Sequence, residues 1–202
     1  MKSDILTITS RGEGVSAVLA LTEKTGDYVG LDQKDRLHLR LLAEELTGLL
    51  RGIAGQVEAE YWLEAEGKKC ELHLRSEIRM NSEMKEQFLS VATDGTNAAA
   101  AGVTGKIRVF IAAMLTATKD ALPYAMINTA AAYPMGGTAG ETAMVWSMAQ
   151  YRDEVQKHRN ENGDADKAWD ELEKSVVSHV TDNVKVSIRG WETEMILVKK
   201  MA

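Results

Sequence analysis

Two sets of carboxylates are the first places in this sequence to look for chemistry. Glu58, Glu60, Glu64 and Glu66 recur at even spacing in QVEAEYWLEAE, an oxygen-rich row of the kind that could ligate a hard cation. Strict alternation with Val57, Ala59, Tyr61, Leu63 and Ala65 makes the segment a half-buried strand, and the glutamate row then reads as its solvated face. The second place is Glu44, inside the long helical stretch from Leu31 to Gly55. There Leu39, Leu42, Leu46, Leu49 and Ile53 form one apolar stripe suited to packing on a sheet, with Asp32 as N-cap. Leu37, Leu41, Glu44 and Gly48 form a second line, roughly opposite, that could face a pocket. A glycine inside a helix costs roughly 1 kcal/mol relative to Ala, so Gly48 suggests another backbone crossing closely.

Other motifs give less. Cys70 is the only cysteine, which excludes an intrachain disulfide, and its alternation with Leu72 and Leu74 makes it a small buried side chain. The four scattered histidines show no recognisable zinc-binding spacing. GVTGK departs from a P-loop, with Ala100 where the first glycine belongs and Ile107 in place of Ser or Thr. The methionines at 114, 126, 135, 144 and 148 read as core filler rather than an adaptable binding surface.

The chain is long enough, at 202 residues, for one full core, and its net charge of −6 with both signs interspersed offers no basic track for nucleic acid. MKSDILTITSRGEG lacks the apolar run of a signal peptide, and VFIAAMLTA is too short to cross a bilayer, so a cytoplasmic protein is expected.

In order, the elements are a strand around Ile5–Ile8, a helix from Gly12 to Tyr28, the long helix, and an antiparallel hairpin turning at Gly67. Next come a helix capped by Asn81 or Ser82 and running to Val91, the loop TDGTNAAAAGVTG, and a helix from Lys106 to Ala121 ended by Pro123. Residues 124–142 form an aperiodic excursion, followed by helices at Ala143–Arg159 and Ala165–Thr181 around the turn HRNENGD. NVKVSIRG and WETEMILVKKM, joined at Gly190, return as strands to the sheet begun by the hairpin.

This order, with the GL connection at Gly30 and Leu31 before LRLLAEELTGLLR, resembles the GHKL (histidine-kinase-like) ATPase superfamily, and within it the bacterial anti-sigma-factor serine kinases. The similarity spans 5–77 and 184–199, about half the chain. It implies that Glu44 stands where the family has its general base, and Gly48 where an Asn would ligate magnesium. Ser76 stands in place of the Asp that binds the adenine amino group, and Ile78 in place of a glycine beside the ring. The resemblance further implies that Thr193 lies near the position of the family's Gly-Thr pair in the last strand, and that Gly102 and Gly105 correspond to its phosphate loop. Gly48 has no side-chain oxygen, and two adenine determinants are missing.

The expectation is therefore an α+β protein: a two-layer sandwich of helices on a mixed, mostly antiparallel sheet, one domain over 1–202 with a largely helical insertion at 81–182. Its function would be regulatory, through binding a partner protein, with the ATP site eroded and an enzymatic role disfavoured. ATP and magnesium enter only through the resemblance, no cofactor is assigned from the residues, and a homo-oligomer stays open. An active ATP-binding protein or serine kinase, and a small-ligand-binding module, are the alternatives.

Overall fold

The computed structural model describes residues 1–51, 56–79, 83, 107–108, 110–112, 115, 132–135, 143–159 and 163–201. Its elements are β1 (Leu6–Thr9), α1 (Val15–Tyr28), α2 (Gln33–Arg51), β2 (Glu58–Glu66), β3 (Lys69–Glu77), β4 (Ala132–Met135), β5 (Ala143–Ser147), α3 (Met148–His158), α4 (Gly163–Lys174), α5 (Val176–Val180), β6 (Asn183–Arg189) and β7 (Glu192–Lys200). The strands make one seven-stranded sheet in the order β1-β2-β3-β7-β6-β5-β4. Every pairing among the described strands is antiparallel, so the parallel component expected of a mixed sheet is not found there.

The helices cover one face of this sheet. Alternation sends Ala59, Tyr61, Leu63, Cys70, Leu72, Leu74, Met195, Leu197, Val184 and Val186 inward, where they share one core with the leucines of α2 and with Met148, Leu172 and Val177. Burial raises the Cys70 thiol above its ordinary range, as suits an inert core residue. Tyr61 and Thr22 share a buried hydroxyl hydrogen bond of 2.7 Å that ties α1 to β2.

The turn into α1 depends on a glycine. Gly14 has φ +81°, and a Cβ there would stand 2.4 Å from the carbonyl oxygen of Thr7, so α1 starts at Val15 rather than at Gly12. Asp32 does cap α2, accepting a hydrogen bond from the backbone N–H of Asp35 at 2.7 Å. Leu39, Leu42, Leu46 and Leu49 are buried as the stripe requires. The opposite line differs along its length: Leu37 is 63% exposed and Leu41 only partly buried. In this first half, α2 is covered on one side only.

The segment between the two similarity regions is not simply helical, because it adds β4 and β5 to the sheet edge. Residues 143–147, expected to open a helix, extend along β6, with Trp146 opposite Val186. The helix starts at Met148 because Asn183 Oδ1, on the neighbouring strand, accepts from the Ala149 N–H (3.0 Å) and the Ser147 hydroxyl (3.2 Å). The expected helix over 165–181 is broken at Ser175, whose hydroxyl caps α5 by accepting from the Ser178 N–H. Ile107, Arg108, Phe110, Ile111, Ala112 and Leu115 are helical, and Glu83 is as well. Ile53, the cap at 81–82, the loop at 93–105, Pro123 and most of 124–142 lie outside the described residues.

The one-sided burial of α2 gives a paired expectation. Leu46→Ala should cost about 3 kcal/mol of unfolding free energy in a urea titration, whereas Leu37→Ala should be close to neutral. Equal losses at both positions would mean that both lines of the helix are packed.

Candidate functional site

The inward face holds the adenine-site residues implied by the resemblance. Antiparallel register makes Ser76 and Thr193 direct neighbours on β3 and β7. Both are buried, Thr193 completely, and neither hydroxyl oxygen has a hydrogen-bond partner among the described residues. A buried hydroxyl left unpaired costs roughly 1–3 kcal/mol, so this pair is a local liability among the apolar residues of the sheet's inward face.

Glu44 does not join them in a cavity. Its carboxylate is solvent-exposed and paired with Arg40 at 3.2 Å, and Arg40 also pairs with Glu23 on α1. Its neighbour Glu45 is half-buried, and that burial, with the adjacent charge of Glu44 second, raises its carboxyl above the usual range. Gly48 has open space around the position a Cβ would take among the described residues, so close backbone packing does not explain it. Its carbonyl instead accepts from Arg108 Nη2 at 3.4 Å, and desolvation holds that buried guanidinium below its ordinary pKa. Arg108 lies among Ile107, Phe110 and Ile111, which belong to the same core as α2. Gly102 and Gly105 lie outside the described residues.

The outward face is where ionisable groups converge. Trp62, which the alternation of β2 places in the row of glutamates, is only 6% exposed. Its ring stacks on His73, its register partner, with centroids 4.6 Å apart and planes 11° from parallel. The ammonium of Lys2 lies 4.6 Å from the Trp62 ring centroid, and the Arg75 guanidinium 5.6 Å. Trp62 Nε1 donates to Glu64 Oε1 at 2.9 Å, and Lys2 pairs with that same oxygen at 3.2 Å. Those bonds hold the Glu64 carboxyl below its usual pKa. His73 Nδ1 lies 3.2 Å from Glu194 Oε1, and this bond is the main reason that the Glu194 carboxyl is also depressed. Glu71 is the register partner of Glu64 and pairs with Lys69 at 2.7 Å through Oε1, leaving Oε2 3.8 Å from His73 Nε2. Glu64, Glu71 and His73 are the group of potential metal-ligating side chains among the described residues, with one donor atom from each within 4.8 Å of the others.

Two hollows open on this face. One of about 370 Å³ is lined by Met1, Lys2, Glu64, Lys69 and Glu71. Another of about 550 Å³ lies beyond Arg75, between Glu60, Glu77, Trp191 and Glu192. A third, about 260 Å³, lies over α1 and α2 beside Leu37 and Arg36, and a fourth, about 270 Å³, lies between Arg152, Trp169 and His179. None of the four opens between α2 and the inward side of β3 and β7.

Sequence reasoning found Glu64 but read it along its own strand, and it missed Glu71, His73 and Glu194. The signal was available in the hairpin: a turn at Gly67 pairs position 64 with 71 and position 62 with 73. Reading across the strands instead of along them would have exposed the cluster.

Two expectations follow. Thr193→Val keeps the shape and removes an unpaired hydroxyl, so it should raise unfolding free energy by up to about 1 kcal/mol; a clear loss would show that the hydroxyl has a partner. Glu194 has a depressed carboxyl, so its bond to His73 stabilises the fold above the ordinary carboxylate range and is lost as pH falls through the lowered pKa. Urea titrations should show wild type more stable than Glu194→Gln near neutral pH, with the gap closing towards pH 3; a gap that widens on acidification would refute this. Comparison of the chain with protein-family models, with curated proteins and with solved structures returned no match.

Proposed function

We propose that this chain is a regulatory protein acting by binding another protein, built on an anti-sigma-factor-like ATPase scaffold whose nucleotide site has closed. The observation that carries this reading is the Ser76–Thr193 pair: where the resemblance implies an adenine pocket, two buried hydroxyls stand side by side in a packed layer. Arg108 supports it, since its guanidinium reaches the Gly48 carbonyl at the position where the family places a magnesium ligand. A cation there disfavours a second cation of higher charge. The exposed ion pair of Glu44 with Arg40 supports it too, because a general base must lie within hydrogen-bond reach of its substrate.

A protein partner fits the surface of α1 and α2. Tyr28 and Leu37 are the most exposed large apolar side chains among the described residues. Around Leu37 the charges are already neutralised in the pairs Arg36–Asp27 and Arg40–Glu23, so covering them leaves no charge without a counterpart.

Calorimetric titration with ATP, with and without magnesium, should give no saturable heat, and a protein retained by the wild-type chain should be lost on Leu37→Asp. Tight magnesium-dependent ATP binding would overturn the closed site, and retention of the same partners by the variant would move the binding surface elsewhere.

A further inference from the structure

The outward face of the β2–β3 hairpin holds an imidazole whose surroundings have a gap in them. His73 is 7% exposed, and its Nε2 atom is buried without a hydrogen-bond partner, while its Nδ1 is occupied by Glu194. With Nδ1 engaged by the Glu194 carboxylate, Nε2 is the nitrogen left for a further ligand. Glu64 and Glu71 lie beside this imidazole, and each has one oxygen committed to a cation. Glu71 gives Oε1 to Lys69 and leaves Oε2 3.8 Å from Nε2; Glu64 gives Oε1 to both Trp62 and Lys2.

We propose that Glu64, Glu71 and His73 Nε2 form a binding site for a divalent first-row transition-metal ion, with Glu194 as the positioning residue that orients the imidazole. One nitrogen and two carboxylate oxygens are a donor set for zinc or its neighbours rather than for magnesium or calcium, which take oxygen alone. The fit is near but not closed. Ligands about 2.1 Å from a tetrahedral zinc lie about 3.4 Å apart, and the three donor atoms here lie within 4.8 Å of one another. Closing that difference of roughly an ångström falls to the two partly exposed glutamates, since the imidazole is stacked on Trp62 and bonded to Glu194. The remaining coordination positions open towards the hollow beside Lys2 and Lys69, where water or an anionic ligand can complete the shell.

This site is independent of the closed nucleotide cavity, since it lies on the other face of the sheet. An ion there would clip β2 to β3, and its charge would offset carboxylates that crowd on adjacent strands. The register that pairs Glu64 with Glu71 and Trp62 with His73 supplies all three ligands from one hairpin, so no rearrangement of the backbone is required.

The test is calorimetric titration of the tag-free chain with Zn²⁺, with Mg²⁺ as the contrasting ion, alongside thermal unfolding. One Zn²⁺ per chain should bind with a dissociation constant in the micromolar range or below, raise the thermal midpoint, and leave Mg²⁺ without effect. Glu71→Gln, a partly exposed position that should not disturb folding, should weaken zinc at least about 10-fold, and Glu194→Gln should weaken it about 10- to 100-fold although it makes no bond to the ion. In ¹⁵N NMR of the imidazoles, zinc should shift His73 Nε2 and leave Nδ1 protonated, a signature that a merely structural role for Glu194 would not produce. Absence of stoichiometric zinc binding, unchanged affinity in Glu71→Gln, or coordination at a different histidine would each overturn the assignment.

Discussion

The pairing of β2 with β3 is the constraint from which the two faces of this molecule follow. Side chains alternate along a strand, so a slip of β2 by one residue would send Trp62 and Glu64 into the core and expose Tyr61 and Leu63. The cost would be the hydrophobic free energy of those large side chains, each worth about 1.5–3 kcal/mol when buried. The tight turn at Gly67, with φ +55°, and the pairing of β3 with β7 hold the register from both ends. The side chains of the hairpin are therefore sorted by parity: even positions of β2 meet the odd positions of β3 on the outward side, and the rest are packed beneath the helices.

Parity also explains what could be read from the chain. The alternation of β2, the leucine stripe of α2, the Asp32 cap and the closing strands are local patterns, each set by one element's own burial, and they appear where expected. The edge strand β5 has no such signature. AMVWS is a short apolar run that suits a strand or a helix equally, and what decides it is Asn183, 36 residues past Ser147, capping the helix that follows. The break at Ser175 is a similar case, in which one serine hydroxyl ends a periodicity that otherwise continues. The cluster at His73 was legible only in part, since the turn at Gly67 pairs position 64 with 71 and position 62 with 73 but says nothing of Glu194. Its members come from β2, β3 and β7, and only the sheet order places Glu194 beside a residue 121 positions earlier.

The inward and outward faces treat polar groups in opposite ways. On the inward side, Ser76 and Thr193 are small hydroxyls whose desolvation the surrounding packing can tolerate, and Arg108 keeps the Gly48 carbonyl as a partner. The layers do not depend on such positions, because the core energy lies in the leucines of α2 and the apolar rows of the sheet. Glu44 illustrates the separation. It occupies the helix position that the resemblance marks for chemistry, yet its geometry is set by Arg40 and by solvent.

On the outward side, a tryptophan buried on a charged surface calls for its own explanation. Burial of so large a ring is favourable, but its indole N–H must find an acceptor, and Glu64 supplies one. That bond draws a carboxylate to the ring edge, the carboxylate draws Lys2 across the ring face, and the imidazole of His73 closes the stack. Each contact is individually modest, since exposed ion pairs and cation–π contacts contribute little singly. Their joint effect is to immobilise His73 between an aromatic plane and the Glu194 carboxylate, with one nitrogen left beside the remaining acids. A surface that merely needed solubility would leave its charges on mobile side chains. This one holds an imidazole still, and the rigidity comes from the same cross-strand register that builds the core on the other side of the sheet.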